Sequence, residues 1–563
     1  MKTQRLLKAA LLIHSLPWVA YSQMEIPEPV TLSGSLVSFS VPDLHQTIEI
    51  LQGYADRIMP ENESIQLKAQ IGGMLGDPEL SFIPEGGGAA VVWDGVTWYA
   101  VVQCDPESQT LDNLSPLTKS LQVQSLVQDR LLILSKTQPG LDQGKNQATA
   151  CAAALLKSDQ AGGVVRMQTA KLIERFRPQI NMGIAMLPAM MMKGSPAVPE
   201  GQKNPMQNMG RILEGEMRIL VSIFSQIDSL DLSIIPRADS LEYQYLFSAK
   251  KDTRLHTLIT APDVLTPDPA ISVAYLEPGM MALEMFVGNP EALATFLKGE
   301  TEQLAQEMFL DPEVTENWIT MMELWTDFFS GSVAETIQLD PESGFSLGYI
   351  GSVTNEEAMV SSLETISELM EPIMGFYEDM GIPMKMDLQL NSREYKGTAV
   401  HQYDFSYELD NMDPQMAEQF QVLQMSQMDS ELALKNNRIL WTMGTQSLDK
   451  LLDRMDSGNA LGTSMYAHSI YPEGALYYFD LDMSAYMDFI VSYMPDEAAF
   501  DIFNTLSEGL QDSPPLSGAT FKQDNRVLMS IRLPFEFIEM IATMGFNGQS
   551  LSEESATKPR SKN

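Results

Sequence analysis

Residues 230–259 read LDLSIIPRADSLEYQYLFSAKKDTRLHTLI, and residues 520–541 read TFKQDNRVLMSIRLPFEFIEMI. In the first stretch Leu230, Leu232 and Ile234 alternate with polar residues, as do Leu241, Tyr243, Tyr245 and Phe247. The polar turn Arg237-Ala238-Asp239-Ser240 separates the two runs, and Leu255, Leu258 and Ile259 follow at helical spacing. The second stretch repeats the plan: Thr520–Phe521, the turn Gln523-Asp524-Asn525-Arg526, then Val527, Met529, Ile531 and Leu533, with Phe537, Ile538 and Ile541 closing. A period of two marks a strand with one buried face, and two such runs around a short polar turn mark a hairpin. Each stretch is therefore a hairpin followed by an apolar helix.

Each hairpin closes a longer unit. Residues 160–260 open with strand-like Val164–Gln168 and continue as helical pattern to Met192, with Pro178 and Pro188 expected to interrupt it. A Gly/Pro-rich loop, Lys193–Asn208, precedes a stripe of Met209, Leu213, Met217, Leu220, Phe224 and Ile227, the spacing of one helix face. Residues 475–546 open with Ala475–Met483 and continue as helical pattern through Leu510, with a break expected at Pro495.

A further unit precedes each of these. Residues 35–157 carry the strand Ser35–Val41, a helix to about Ile58, strands on either side of Asp94-Gly95, and a helix around Ala148–Leu156. Residues 270–456 carry strand-like Ser272–Leu276 and Met281–Val287, helices from Pro290 and Pro312, and hairpins around Asp340–Gly344 and Asn391–Glu394. Their clearest helix has Met359, Leu363, Ile366, Met370, Ile373, Tyr377 and Met380 on one face, with a kink expected near Pro372. The Pro-rich run Ala261–Pro269 links the two halves. The expected fold is α+β: two tandem halves, each of repeated modules with mostly antiparallel sheets covered by long amphipathic helices. Residues 547–563 are small and polar and read as a disordered tail.

The chain begins with what reads as a secretory signal peptide at 1–22. Lys2, Arg5 and Lys8 precede the apolar run Ala9–Ala20, and Ala20-Tyr21-Ser22 offers small residues for cleavage. No later run is long and apolar enough to span a bilayer, so no transmembrane segment is expected in the mature chain. Export to the periplasm or the medium follows. The net charge of −39 argues against nucleic acid and against anionic lipid surfaces as partners.

Chemistry-bearing motifs are sparse. No HExxH or Cys/His metal spacing exists, and no G-x-S-x-G turn. Ser447-Leu448-Asp449-Lys450 matches S-x-x-K but reads better as a helix N-cap at Ser447. Asp480 and Asp482 share a strand face that reads as solvated, His401 reads as a strand residue facing solvent or a partner, and Gly86-Gly87-Gly88 as a flexible loop. No residue is singled out as catalytic, and neither a metal nor another cofactor is expected. Cys104 and Cys151, the two cysteines present, are a candidate disulfide in an exported chain, or two buried free thiols. The 38 methionines stand at core spacing on amphipathic helices, which reads first as core filling and second as an apolar groove bordered by Met190, Met370 and Met374.

SLVSFSVPDL at 35–44, GGGAAVVWDG at 86–95 and SLEYQYLFSAKKDTRLHTLI at 240–259 together resemble large exported proteins of environmental Gram-negative bacteria. The resemblance implies repeated α+β modules behind a signal peptide. It brings no known activity and no site residues. The leading expectation is a non-catalytic exported protein that binds or scaffolds through extended module surfaces, with an unidentified protein as partner. The alternatives are a carrier of a lipid or peptide in the Met-lined groove, and a hydrolase whose site assembles from distant segments.

Overall fold

The computed structural model describes residues 32–542 apart from 33, 59–65, 75–76, 109–110, 112–117, 120, 157–161, 193–204, 309–311, 341–343, 380–382, 412–416, 418–426, 463, 493–506 and 541. The signal segment 1–22, most of the loop 193–208, the break at Pro495 and the tail 547–563 lie outside the described residues.

The strands of the first part are β1 (Val37–Val41), β2 (Ala89–Trp93), β3 (Trp98–Gln103), β4 (Gln124–Gln128), β5 (Leu131–Ser135), β6 (Gly163–Met167), β7 (Ile227–Pro236) and β8 (Ser240–Ala249). Those of the second are β9 (Met281–Phe286), β10 (Phe329–Asp340), β11 (Gly344–Val353), β12 (Met384–Tyr395), β13 (Thr398–Tyr407), β14 (Gln427–Met428), β15 (Ser430–Leu434), β16 (Arg438–Met443), β17 (Tyr477–Leu481), β18 (Leu516–Gln523) and β19 (Arg526–Pro534). The helices are α1 (Leu44–Ile58), α2 (Leu67–Met74), α3 (Gln138–Leu155), α4 (Thr169–Met192), α5 (Pro205–Ser225), α6 (Arg254–Thr260), α7 (Pro290–Met308), α8 (Pro312–Phe328), α9 (Glu356–Asp379), α10 (Leu448–Ser457), α11 (Ala467–Ile470) and α12 (Met483–Ser492). Residues 535–540 are also helical.

The fold is mixed α+β, and its strands pair into one large antiparallel sheet. The order is β4-β5-β3-β2-β1-β6-β7-β8-β19-β18-β17-β9-β10-β11-β16-β15-β13-β12, with β14 also on β13. The seam between the two parts of the chain is β8 against β19, a ladder running from Arg526–Ser248 to Pro534–Ser240. Residues directly opposite in an antiparallel pair lie on one face. One row across the sheet is therefore Val92, Ser38, Arg166, Asp231, Leu246, Leu528 and Phe521.

The helices divide between the faces. On one face α3 packs over Ala90, Val92, Tyr99, Val101 and Ile133, and α10 over Ile350, Val400, Ala433 and Leu440. On the other, α1 brings Ile48 to Ala100, Leu132 and Leu134, α9 brings Met359 and Leu363 to Leu432 and Ile439, and α6 and α7 cover Ile227 and Val527. Burying each of the Val, Leu, Ile and Met side chains among these contributes roughly 1.5–3 kcal/mol before chain entropy is counted.

Local sequence explains the turns. Asp129-Arg130 between β4 and β5, and Asn436-Asn437 between β15 and β16, hold positive φ at both positions, as a two-residue hairpin matching the strand twist requires. Ser447 caps α10 by accepting the Lys450 N–H, and Gly458 ends it in the left-handed region.

Several expectations give way. Pro178 and Pro188 lie inside one continuous α4 and do not interrupt it. Packing along α5 carries α4 across both prolines. Ser272–Leu276 is a 3₁₀ turn over Val273–Tyr275 rather than a strand, because the Ser272 hydroxyl accepts the Ala274 N–H. The hairpin placed at Asn391–Glu394 turns instead at Lys396-Gly397. Asn391, with φ of +53°, sits within a register shift between Gln389 and Arg393, where an asparagine tolerates the left-handed backbone of a bulge. Gly88 is no flexible loop residue: a Cβ there would meet the Val41 and Pro42 carbonyl oxygens at 2.5 and 2.4 Å.

Candidate functional site

The seam brings the ends of several helices together. α6 follows β8, and its Leu255, Leu258 and Ile259 pack with Leu293 and Phe296 of α7. α4 and α5 form a helical pair, and α5 also packs along α7. A cavity of about 450 Å³ lies among these four helices. That volume falls within the usual range for small-molecule sites.

Its walls follow helical spacing. α4 contributes Ile173, Arg177, Asn181 and Ile184, and α5 contributes Arg218, Val221, Ser222 and Ser225, each set along one helix face. Gln226, Thr253, Arg254 and Gln303 complete the lining. Among the described residues, three arginines and no carboxylate face this space, in a chain whose 75 acidic residues outnumber its 36 basic ones.

A polar network holds one wall. The Gln226 side chain accepts the Leu255 N–H at 2.9 Å and donates to Glu300 Oε1 at 2.8 Å. Arg254 donates through Nε to the same Glu300 oxygen at 3.0 Å and through Nη2 to Gln303 Oε1 at 2.9 Å. Ser222 Oγ donates to Gln303 Oε1 at 3.0 Å. Arg218 pairs with Glu214 at 2.9 Å, one helical turn away. Arg177 is exposed, and no ion pair or hydrogen bond engages it among the described residues. The local charge is thus one uncompensated guanidinium, flanked by two that are each balanced by a glutamate.

A second polar cluster sits on the opposite face of the sheet. Asp480 is buried, which pushes its carboxyl above the ordinary range, and it accepts the Ser517 hydroxyl and the Tyr466 and Ala467 N–H groups. It caps α11 and is no solvated strand residue. Asp482 is exposed beyond the end of β17 and accepts the Ala485 N–H at the start of α12. His468 pairs with Glu284 at 3.1 Å, and that bond raises its pKa. On the same face of the sheet, Arg166 faces Asp231 at 3.3 Å and donates to Ser40 Oγ at 2.6 Å.

His45 and His401 also have structural roles. His45 Nε2 lies 3.0 Å from the Ile83 carbonyl oxygen. His401 is buried, not facing solvent, and its Nδ1 accepts the Asn391 N–H of the bulge at 3.2 Å, so the ring must be neutral there. Burial lowers its pKa. The unfolded chain takes up a proton near the ordinary value of about 6.5 that the folded ring resists. Stability from His401 is therefore present above that pH and is lost as pH falls through it. Urea midpoints measured at pH 8 and pH 5.5 should drop further for the wild-type protein than for His401→Gln.

Cys104 and Cys151 are both free and buried. Cys104 packs with Ala100, Leu132 and Leu134, and Cys151 with Tyr99, Val101 and Ile133. Alternate residues of the same strands point to opposite faces, so the sheet separates the two thiols and no bridge joins them. Burial pushes both thiols up, Cys151 to about 11. A thiol reagent should label neither in the native protein and both after denaturation without reductant, counted by mass.

The methionines proposed as a groove do not converge on one wall. Met190 is exposed on α4, whose packing is with α5 and β7. Met370 and Met374 are half-buried on α9, which packs with α8 and β12. No sequence motif announced the arginine-lined cavity: only the spacing Ile173, Arg177, Asn181, Ile184 was visible, and Arg254 and Gln303 reach it from other helices.

Among the described residues no group of three His, Cys, Asp or Glu side chains is placed to hold a metal, and no helix is long and apolar enough to cross a membrane. Comparison with protein-family models, curated proteins and solved structures found no match.

Proposed function

We propose that the protein is a non-catalytic exported binding or scaffolding protein in which two related halves act as one rigid body. The observation that carries this reading is the mirrored strand order about the seam. Outward from the seam the first half runs β8-β7-β6-β1-β2-β3-β5-β4, and the second runs β19-β18-β17-β9-β10-β11-β16-β15, with the β12–β13 hairpin added beyond.

Register supports the same reading. Ile234 faces Tyr243 in one hairpin and Thr520 faces Met529 in the other, which makes the next residues, Gln244 and Ser530, equivalent. Those two residues face each other across the seam. A residue opposite its own counterpart is the signature of a two-fold contact, the kind that joins identical subunits. The closing helices are exchanged in the same sense. α6, which ends the first half, packs on α7 of the second. Phe535, which begins the helix ending the second half, packs edge-on against Tyr54 of α1 with ring centres 5.0 Å apart, and Arg57 lies over its ring at 3.4 Å.

A scaffold needs rigidity and surface rather than a deep reactive centre, and a fused two-fold sheet supplies both. The reading keeps export to the periplasm or medium, supported by the basic-then-apolar N-terminus. Native mass spectrometry of the purified mature chain together with a serine-reactive fluorophosphonate probe tests it. The expected result is an unlabelled protein, with or without a bound protein partner. Stoichiometric labelling of one serine would overturn it in favour of a hydrolase.

A further inference from the structure

We propose that the cavity among α4, α5, α6 and α7 is a binding site for one small amphiphilic oxyanion, a carboxylate or phosphate group carried on a short apolar chain. The site goes beyond the scaffold reading and does not depend on it.

Three observations converge. The cavity lining is cationic while the chain is strongly anionic: among the described residues three arginines and no Asp or Glu face about 450 Å³. Arg218 and Arg254 are held in place by Glu214 and Glu300, so their forks are oriented, and their charges are largely offset. Arg177 supplies the unbalanced charge on the facing helix wall. A guanidinium takes a carboxylate or phosphate through two parallel N–H donors, and a fixed, partly enclosed cavity strengthens that bond relative to open water. Asn181, one turn along α4 from Arg177, adds an amide on the same wall.

The remaining lining sets the ligand's other end. Ile173, Ile184 and Val221 are apolar, and Ile184 is buried at 4 % exposure. Ile173 and Val221 are half-buried, so an inorganic anion would leave them partly facing water, whereas a short alkyl chain covers them. A cationic ligand meets Arg177 with repulsion and finds no lining carboxylate among the described residues.

Calorimetric titration of the full-length mature protein with octyl phosphate, octanoate and octyltrimethylammonium tests the site. Arg177 is exposed on a helix, so Arg177→Glu should fold as the wild type does, which thermal unfolding checks directly. The expected result is one-to-one binding of octyl phosphate, octanoate or both, no binding of the ammonium compound, and at least a tenfold weaker affinity in Arg177→Glu. Arg177→Lys keeps the charge without the fork and should fall between the two. Binding of the ammonium compound as tightly as the anions, unchanged affinity in a folded Arg177→Glu, or no binding of either anion at millimolar concentration would overturn the proposal. None of these outcomes bears on serine labelling, so the scaffold reading stands or falls separately.

Discussion

Replacing Asp231 by alanine is expected to destabilise the folded chain by roughly 3–5 kcal/mol, the usual cost of stranding one partner of a buried ion pair. Asp231 and Arg166 face each other across β6 and β7, with 8 % and 12 % of their side chains exposed. Removing the carboxylate leaves a guanidinium between neighbouring strands, with Ser40 Oγ as its one remaining hydrogen-bond acceptor among the described residues. The double variant Arg166→Met with Asp231→Leu should recover much of the loss, because two apolar residues of similar volume need no charge compensation. Urea denaturation of the single and double variants measures both. A single variant within about 0.5 kcal/mol of wild type, the range of ordinary surface changes, would mean that the pair is solvated in solution.

The second large effect is expected at the seam. Leu528 stands opposite Leu246 on one side and Phe521 on the other, and the three form a buried cluster with Ala519. Leu528→Pro removes a ladder hydrogen bond from a central strand and should cost about 3 kcal/mol or more. Since β19 is paired to the first half as well as the second, both halves should unfold together at the lowered midpoint, with fluorescence and circular dichroism transitions coinciding. Leu528→Ala offers a milder version that leaves the ladder intact, with an expected cost of about 2–5 kcal/mol from the cavity it leaves.

The hairpins were legible because period-two alternation and turn chemistry are local. Leu230 to Phe247 and Val527 to Leu533 announce β7, β8 and β19 without reference to the rest of the chain. The seam was not legible. Pairing Ser248 with Arg526 joins residues from opposite halves of the chain, and no local pattern says which exposed edge meets which. Asp480 misled for a related reason: alternation assigns it to the polar face correctly, but the N–H groups that bury it come from Tyr466 and Ala467, outside the strand. His401 likewise follows the strand pattern, and its burial depends on a bulge that only Asn391's positive φ reveals. The cysteines were open to geometry once the neighbouring strands were set, since Cys104 and Cys151 join clusters on opposite sides of β3 and β5. The arginine cavity lay beyond any motif because its four walls come from four helices.

The measurement that bears most directly on a single body fused at β8 and β19 is native-state hydrogen exchange resolved to individual strands. Amides from Leu241 to Phe247 and from Val527 to Leu533 should exchange as slowly as those of β1 and β9, which lie inside their own halves. Exchange of β8 and β19 within minutes, while β1 and β9 stay protected, would contradict the account and leave two halves joined only by the chain between them.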